Sequence, residues 1–380
     1  MRLFVHVQHL LGIGHQRRME RIVRGCVAAG IDVTVASGGH PVPGEDWGSA
    51  AICRLPVARA EGADFARLLD DLDRPLDDAW WTRRRAATLA HAQAARPDVL
   101  LVEGYPFARR AFRRELDPLL AWARALGIPV AVSVRDILVA KPDPARAAAV
   151  VETVRRSVDR VLVHGDPHVA RLEDSFAAAA SISDRIAYTG YVADLAPAAP
   201  VPFPERREIV VSAGGGAVGG ALLRAALQAR LAGAGAGLPW RLVTGPQLPA
   251  EDAAALRASA PPDVAIDRHR PDLPTLLAAA RLSISQAGYN TVLELLAAGT
   301  PALLVPFAAP GESEQSQRAA ILARRGRAVV YPEAELGRGG LAAAVASALA
   351  LAPPAPWPLD TDGAATTARE VLALGKGGLP

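Results

Sequence analysis

The sequence predicts a parallel α/β protein made of two doubly wound domains. Three observations carry that expectation. Short apolar runs such as LFVHV, VLLVE, EIVVS and LSIS alternate with longer helical stretches along nearly the whole chain. Several of these runs end in small-residue or glycine turns directly before a helix, which is how the units of a parallel sheet are punctuated. The alternation breaks once, at the Pro- and Ala-rich segment ADLAPAAPVPFPERR, and then restarts with the same grammar.

Leu3 to Val7 reads as the first strand, followed by Gly12-Ile13-Gly14-His15, a helix from about Gln16 to Ala29 and the strand IDVTVAS. Glycines in that turn permit tight turning and close approach of a ligand to backbone. The spacing is not G-x-G-x-x-G, because position 17 is Arg, and Ser37-Gly38-Gly39 stands where a nicotinamide site would place an acidic residue. AICRLP is a further strand. Phe65 to Arg96 reads as a long helical stretch that Pro75 breaks or kinks. The strand VLLVEG ends at Glu103, and a helix carrying Arg109, Arg110, Arg113 and Arg114 follows it. IPVAVSV ends in Arg135-Asp136, a helix covers about Ala145 to Ser157, and RVLVHG and RIAYTG close this half. After the break, EIVVSAGGG runs into a helix from Gly219, then come strands at Trp240 to Thr244 and VAID, and a helix at Leu273 to Ala280. The unit Ser283 to Ala319 is strand, turn, helix, strand, loop, helix. A last strand at Gly326 to Tyr331, a helix at Leu341 to Leu351, a Pro-rich joint at Pro353 to Pro358 and a helix capped by Asp362 complete the chain. The expected organisation is a domain at 1–192, a linker at 193–207, a second domain at 208–352 and a joint plus helix at 353–380.

With 380 residues there is ample chain for two full cores. Half the residues are apolar and the formal net charge is only +3, with arginines spread throughout, so a nucleic-acid partner is not expected. Cys26 and Cys53 lack metal-ligand spacing and read as buried and reduced. The apolar run at the N-terminus is short and interrupted by two histidines, so it reads as a strand and not a leader. No apolar run approaches the roughly 20 residues needed to cross a bilayer. The reading is a cytoplasmic protein, with room for peripheral membrane contact.

Chemistry is concentrated in a few places. Ser212-Ala213-Gly214-Gly215-Gly216 joins a strand to a helix, and three consecutive glycines exceed what an ordinary turn needs, which suits a loop whose amides approach a phosphate. Gln286-Ala287-Gly288 opens the next such turn, and the helix N-terminus behind it offers further amides. Asn290, Thr291 and Glu294 share one helix face, and a carboxylate there can accept two hydrogen bonds from a ribose diol. A plain first-turn Glu with a cap has the same pattern. Glu314-Gln315 at the start of a helix suits sugar hydroxyls, or solvent. His15 follows two glycines and could serve as a base near neutral pH. Glu103 and Arg135-Asp136 sit at strand ends of the same domain, and the latter could equally be a structural ion pair. No G-x-S-x-G, Walker loop, HExxH or paired CxxC is present.

Taken together, SQAGYNTVLELLAAGTPALLVPF, ESEQSQRAA and GIGHQRR resemble the GT-B glycosyltransferases, and within them the family 28 branch that includes the N-acetylglucosaminyltransferase of peptidoglycan precursor synthesis. QHLLGIGHQRR, VEGYPFARRAF and SVRDIL are similar to a group of bacterial predicted glycosyltransferases. The resemblance implies two Rossmann-like domains facing across a cleft, with the acceptor on the N-terminal side and a nucleotide-sugar, a UDP-sugar, on the C-terminal side. It implies Glu294 on the ribose, Gly214 to Gly216 and the 288–291 helix start (Gly288, Asn290, Thr291) on the diphosphate, and His269-Arg270 beside the base. Gln286 and Ala287 belong to the same turn. Glu314 and Gln315 would face the donor sugar, His15 would be the base on an acceptor hydroxyl, and Gly12, Gly14, Glu103, Arg135 and Asp136 would lie on the acceptor side. The final helix would return to the N-terminal domain. No metal and no separate cofactor are implied, because helix dipole and amides offset the leaving diphosphate. Inversion by direct displacement is the expectation. Glu314 stands where the peptidoglycan enzyme has an amide side chain, which leaves the donor sugar open. Two other readings share the nucleotide site. One is a hydrolase or 2-epimerase, for which Glu103 would be a second acid against the anomeric carbon. The other is a non-catalytic nucleotide-sugar binder.

Overall fold

The structure is a computed structural model that describes residues 1–10, 14–61, 67–139, 143–193, 201–213, 219–245, 248–308 and 313–377. Gly12 and Gly214 to Gly216 therefore lie outside the described residues. The chain divides into two compact units, Met1–Ala193 with Asp360–Pro380, and Asp194–Leu359.

In the first unit the elements follow in order: β1 (Arg2–Val7), α1 (Gly14–Ala28), β2 (Asp32–Ser37), β3 (Ala51–Arg54), a small antiparallel pair β4 (Arg59–Ala60) and β5 (Leu68–Leu69), α2 (Asp78–Ala95), β6 (Val99–Glu103), α3 (Arg113–Ala125), β7 (Val130–Arg135), α4 (Pro144–Ser157), β8 (Arg160–His164) and β9 (Ile186–Tyr188). The seven-stranded sheet runs β3-β2-β1-β6-β7-β8-β9 and every neighbouring pair is parallel. Its central strands are Val- and Leu-rich on both faces and wholly buried, as a parallel sheet covered on two sides requires. Leu116, Leu119, Leu120 and Ala123 of α3 pack on one face, while Met19, Ile22, Val23 and Cys26 of α1 pack on the other. Both sets follow the 3.6-residue period that turns one stripe of a helix inward.

The second unit contains β10 (Glu208–Ser212), α5 (Gly220–Leu231), β11 (Trp240–Val243), α6 (Ala250–Ser259), β12 (Val264–Asp267), α7 (Leu273–Ala279), β13 (Ala280–Ser285), α8 (Tyr289–Ala298), β14 (Ala302–Leu304), α9 (Glu314–Arg324), β15 (Ala328–Val330) and α10 (Leu341–Leu349). Its six-stranded sheet runs β12-β11-β10-β13-β14-β15, again all parallel. The final helix, α11 (Gly363–Gly375), packs on α1 in the first unit.

Counted within its own unit, each sheet has the order 3-2-1-4-5-6, with a seventh strand added to the first. In such sheets the direction of winding reverses between the first and fourth strands, and the gap above their carboxyl ends is where ligands bind. Those gaps lie between β1 and β6 and between β10 and β13.

Several expected elements are corrected. The helix expected over Phe65–Arg96 spans only Asp78–Ala95. Asp77 caps it by accepting the Trp80 N–H at 2.6 Å, and Pro75 lies before it at an isolated bridge with Leu69. Arg109 is not helical: it adopts φ 59°, ψ 24°, and α3 begins only at Arg113. Cys26 is buried, whereas Cys53 is half-buried. Asp362 occupies the cap position of α11, but its side chain makes no capping hydrogen bond. The second half of the expected linker is docked: Arg206 is buried and donates to the carbonyls of Ala298 and Gly299 and to Thr300. These are the last carbonyls of α8, where a cation complements the helix dipole.

Candidate active site

At the first reversal point, the sequence after β1 leads to the N-terminus of α1, and β6 ends at Glu103. The two meet there. His15 Nδ1 lies 2.6 Å from Glu103 Oε1, with the carboxylate fully buried and the imidazole a quarter exposed. Arg18 Nη2 donates to the same oxygen at 3.2 Å, and Arg109 Nε donates to Oε2 at 3.1 Å. Burial would raise the Glu103 carboxyl, but Arg109, His15 and Arg18 outweigh it and hold it well below the usual range. Glu103 is therefore an anion. It fixes the proton of His15 on Nδ1 and leaves Nε2 with its lone pair, without a hydrogen bond among the described residues. Burial pushes the imidazole down to about 3, with Arg135 and Arg109 acting in the same direction and Glu103 opposing. His15 is thus neutral at physiological pH, the state a proton acceptor needs.

Behind this pair lies a second buried polar cluster that the sequence did not announce. Glu115 on α3 is fully buried and accepts from His6 Nε2 at 2.9 Å, Arg84 Nε at 2.9 Å and Thr88 Oγ at 2.6 Å. Arg84 and His6 hold its carboxyl down to about 2, although burial alone would raise it. Arg84 continues to Gln8 Oε1 at 2.8 Å, and Gln8 donates to the His9 carbonyl at 2.6 Å. The residues leaving β1 toward α1 are thereby anchored to α2 and α3. Deeper at the strand ends, Ser133 and Thr189 sandwich the buried His164 at 2.7 and 2.8 Å, and burial keeps that imidazole neutral.

The second reversal point is built differently. Ser212 and Ser285 are register partners at the ends of β10 and β13, and both hydroxyls are buried without a partner among the described residues. Gly288 precedes α8 at φ −65°, no side chain caps that helix, and a Cβ on Gly288 would meet nothing within 4 Å. The first N–H groups of α8 are therefore available to a ligand. Glu294 lies one turn in, half-buried, and burial raises its carboxyl to about 7.

The sequence-derived candidates distribute unevenly. His15, Gly14, Glu103 and Arg135 come together in the first unit, where Arg135 Nη2 lies 3.9 Å from the position a Cβ on Gly14 would take, while Asp136 is buried and accepts the Ile137 N–H. Gln286, Ala287, Gly288, Asn290, Thr291 and Glu294 surround the start of α8. Glu314 and Gln315 are already engaged. Arg318 donates to Glu314 at 2.9 Å and to the Ala287 carbonyl at 3.2 Å, while Gln315 accepts the Phe307 N–H at 3.1 Å. They brace α9 and the β14 exit against the α8 turn. Arg270 pairs with Asp267 and Asp272, and its neighbour His269 is exposed. Glu103 is sealed by His15, Arg18 and Arg109, which removes the carboxylate on which the hydrolase reading depended. Arg18, Arg109 and Ser285 join the site unforeseen, whereas Ser212 opens the Ser212–Gly216 turn already singled out. The only sequence signal for Ser285 was a small polar residue at the end of a strand.

Two family assignments cover most of the chain. Residues 214–354 match the glycosyltransferase family 28 C-terminal domain, and residues 14–183 match the glycosyl transferase 4-like domain. The chain carries the two domain types of a GT-B glycosyltransferase. A segment of 140 residues is 38% identical to the UDP-N-acetylglucosamine–N-acetylmuramyl-(pentapeptide) pyrophosphoryl-undecaprenol N-acetylglucosamine transferase of Synechococcus elongatus, covering 36% of this chain and 37% of that protein. Matches to such relatives cover from 17% to 37% of their length. Among solved structures, a calicheamicin glycosyltransferase superposes with a TM-score of 0.62 at 17% identity, covering 99% of this chain and 95% of that one. MurG of Acinetobacter baumannii superposes with a TM-score of 0.61 at 16% identity, covering 99% of both chains. The GT-B fold expected from the sequence is thus the fold found. Among the described residues no helix is long and apolar enough to cross a membrane.

Proposed function

We propose that this GT-B protein transfers a glycosyl group from a nucleotide-sugar to an acceptor hydroxyl, with inversion and without a metal. The observation that carries the proposal is the His15–Glu103 hydrogen bond at the first reversal point. A buried carboxylate holds one ring nitrogen, so the other faces outward as a base, which is the arrangement that activates a hydroxyl for direct displacement. Glu103 orients the ring and stabilises the imidazolium as the proton arrives.

In this reading the donor binds the second unit. The α8 amides, with the loop containing Gly214 to Gly216, receive the diphosphate. Glu294 receives the ribose diol, and His269 and Arg270 border the base. Amides and helix dipole would offset the charge that builds on the diphosphate as the glycosidic bond breaks. A uridine diphosphate sugar is the donor class favoured, because the matched relatives are named for one. Glu314 and Gln315 shape the sugar pocket through Arg318 and the backbone, rather than as the sugar's direct ligands.

The test is calorimetry of the full chain with uridine and thymidine diphosphates and their sugars, followed by NMR of the product anomer once an acceptor turns over. Binding that depends on Glu294, turnover that depends on His15, and an anomer opposite to that of the donor are expected. Absence of binding by every nucleotide would remove the donor assignment, and a retained anomer would remove direct displacement.

A further inference from the structure

Helix α8 is held differently at its two ends. Its first N–H groups have no side-chain cap among the described residues, and the hydroxyl of Ser285, which ends β13, is buried without a partner there. At the other end, the carbonyls are taken by the two stretches through which the chain enters and leaves this unit. On the way in, the buried Arg206 donates from Nη2 to the Ala298 carbonyl at 2.9 Å, and from Nη1 to the Gly299 carbonyl at 3.2 Å and Thr300 Oγ at 3.3 Å. On the way out, the Trp357 N–H donates to the Leu296 carbonyl at 2.8 Å. The outgoing stretch lies directly on the helix end: a Cβ on Gly299, itself at φ 58°, would fall 2.5 Å from the Pro354 carbonyl oxygen. Each stretch is pinned a second time through an aromatic ring. The Arg281 guanidinium of β13 stands 4.1 Å from the Phe203 ring centre, and those of Arg325 and Arg327 stand 5.1 and 4.8 Å from that of Trp357.

We propose that Arg206 and Trp357 are positioning residues for the nucleotide site: by fixing the last turn of α8 they fix its first, so that the open amides and Glu294 are ordered before the ligand arrives. The inference rests on the nucleotide reading above and adds that both crossing stretches are coupled to nucleotide occupancy through one helix. Neither residue touches the ligand, because ten residues separate the ends of α8 by roughly 15 Å. A helix this short is marginal by itself, so the order of its first turn depends on its packed face and on what holds its last. With the anchor removed, the cost of ordering α8 falls on the ligand and appears as lost affinity. Such coupling is reciprocal, so a bound nucleotide tightens the anchor in turn.

The full chain is titrated calorimetrically with uridine diphosphate and thymidine diphosphate. Hydrogen exchange of residues 201–207 and 354–359 is then followed with and without the tighter of the two. The nucleotide is expected to slow exchange of the Trp357 amide by about fivefold or more, relative to amides of α6 in the same unit. Arg206→Met, which keeps an apolar stem but removes every donor, is expected to weaken nucleotide binding by about tenfold. Arg206→Lys, which keeps a cation at the helix end, should recover part of that loss. Trp357→Leu, which leaves the backbone N–H in place, should weaken binding less than Arg206→Met. A purely structural anchor would lower the thermal midpoint while the affinity of the folded protein and the exchange at Trp357 stayed unchanged, and that result would overturn the proposal. Where Arg206→Met does not fold, exchange in the unaltered chain decides: slowing at Trp357 supports the coupling, and exchange that ignores the nucleotide overturns it. If neither diphosphate binds the unaltered chain, the donor reading fails and the positioning role falls with it. Binding without either coupling signature defeats the positioning role alone.

Discussion

The two sheets share a strand order, yet their reversal points are made of opposite materials. Between β1 and β6 the site is a lattice of fixed ionised groups. Glu103 is sealed by three partners, and Glu115 is sealed behind it by Arg84, His6 and Thr88. Between β10 and β13 the paired charge is one buried ion pair, Arg318 with Glu314, tied to the Ala287 carbonyl; the groups left open are two hydroxyls, an uncapped helix start, a glycine that opens space, and one carboxyl raised by burial. Preorganised charge is costly to bury and is useful where a proton must move in a defined direction. Neutral N–H and O–H donors are useful where a ligand brings the charge itself. Under the proposed function, the same topology serves a reacting site in one unit and a docking site in the other.

The largest effect that would break this comparison is on turnover. His15→Ala is expected to lower transfer by about 10²–10⁴-fold while nucleotide affinity, measured by calorimetry, stays unchanged. Equal loss of both would mean that the two sites are not separable in function. Next comes stability. Glu115→Gln leaves Arg84 buried without its counter-charge and should cost roughly 3–5 kcal/mol in denaturant unfolding of the first unit. The equivalent change at Glu294 in the second unit should cost little, because Glu294 has no ionic partner among the described residues to strand.

The pH dependences should run in opposite directions. His15 and Glu115 are both depressed, to about 3 and about 2. The folded state therefore binds fewer protons than the unfolded one. Stability from His15 is present above its ordinary value of 6.5 and is lost as pH falls toward 3, and Glu115 adds the same trend from 4.5 downward. Glu294 is raised to about 7, so its contribution is present below 4.5 and is lost as pH rises through 7. A diol prefers the carboxylate, so nucleotide affinity should rise as pH passes upward through 7, by roughly tenfold at most for one charged hydrogen bond. Glu294→Gln should flatten that profile in calorimetry across the range.

The smallest stability effect is the most local. Gly288→Ala, with φ −65° and open space around the new Cβ, should change stability by no more than about 0.5 kcal/mol while weakening nucleotide binding. Gly38→Ala in the first unit is the contrast. Its Cβ would fall 2.0 Å from Arg84 Nη2, so it should destabilise the fold by disturbing the buried lattice.

The small antiparallel pair β4 and β5 was not legible in the amino-acid order, whereas the strands of the two larger sheets, their parallel pairing class and the helix start at Gly288 were. They follow from local rules: runs of β-branched and aliphatic residues, glycine at turns, and the spacing of apolar residues along a helix. Asn290, Thr291 and Glu294 were legible for the same reason, since three residues on one helix face need only the helix. Local rules failed at α2, where polar and apolar residues before Pro75 read as helix until the Asp77 cap set its true start. They failed again at Arg109, whose left-handed backbone no sequence pattern marks. His15 and Glu103 were each visible as candidates, but their pairing was not. Glu103 is 88 residues away, and only the side-by-side placement of β1 and β6 brings the two to 2.6 Å. Glu314 and Gln315 were legible only as chemistry that suits sugars; that Arg318 and the Phe307 N–H engage one oxygen of each was not. Periodicity is a property of neighbours in the chain, whereas the charge of a buried group is set by whichever neighbours the fold supplies. The amino-acid order determined the two sheets and the helix α8 that begins at the second reversal point. The tertiary structure decided which carboxylates are spent and which nitrogen of His15 is left without a hydrogen bond among the described residues.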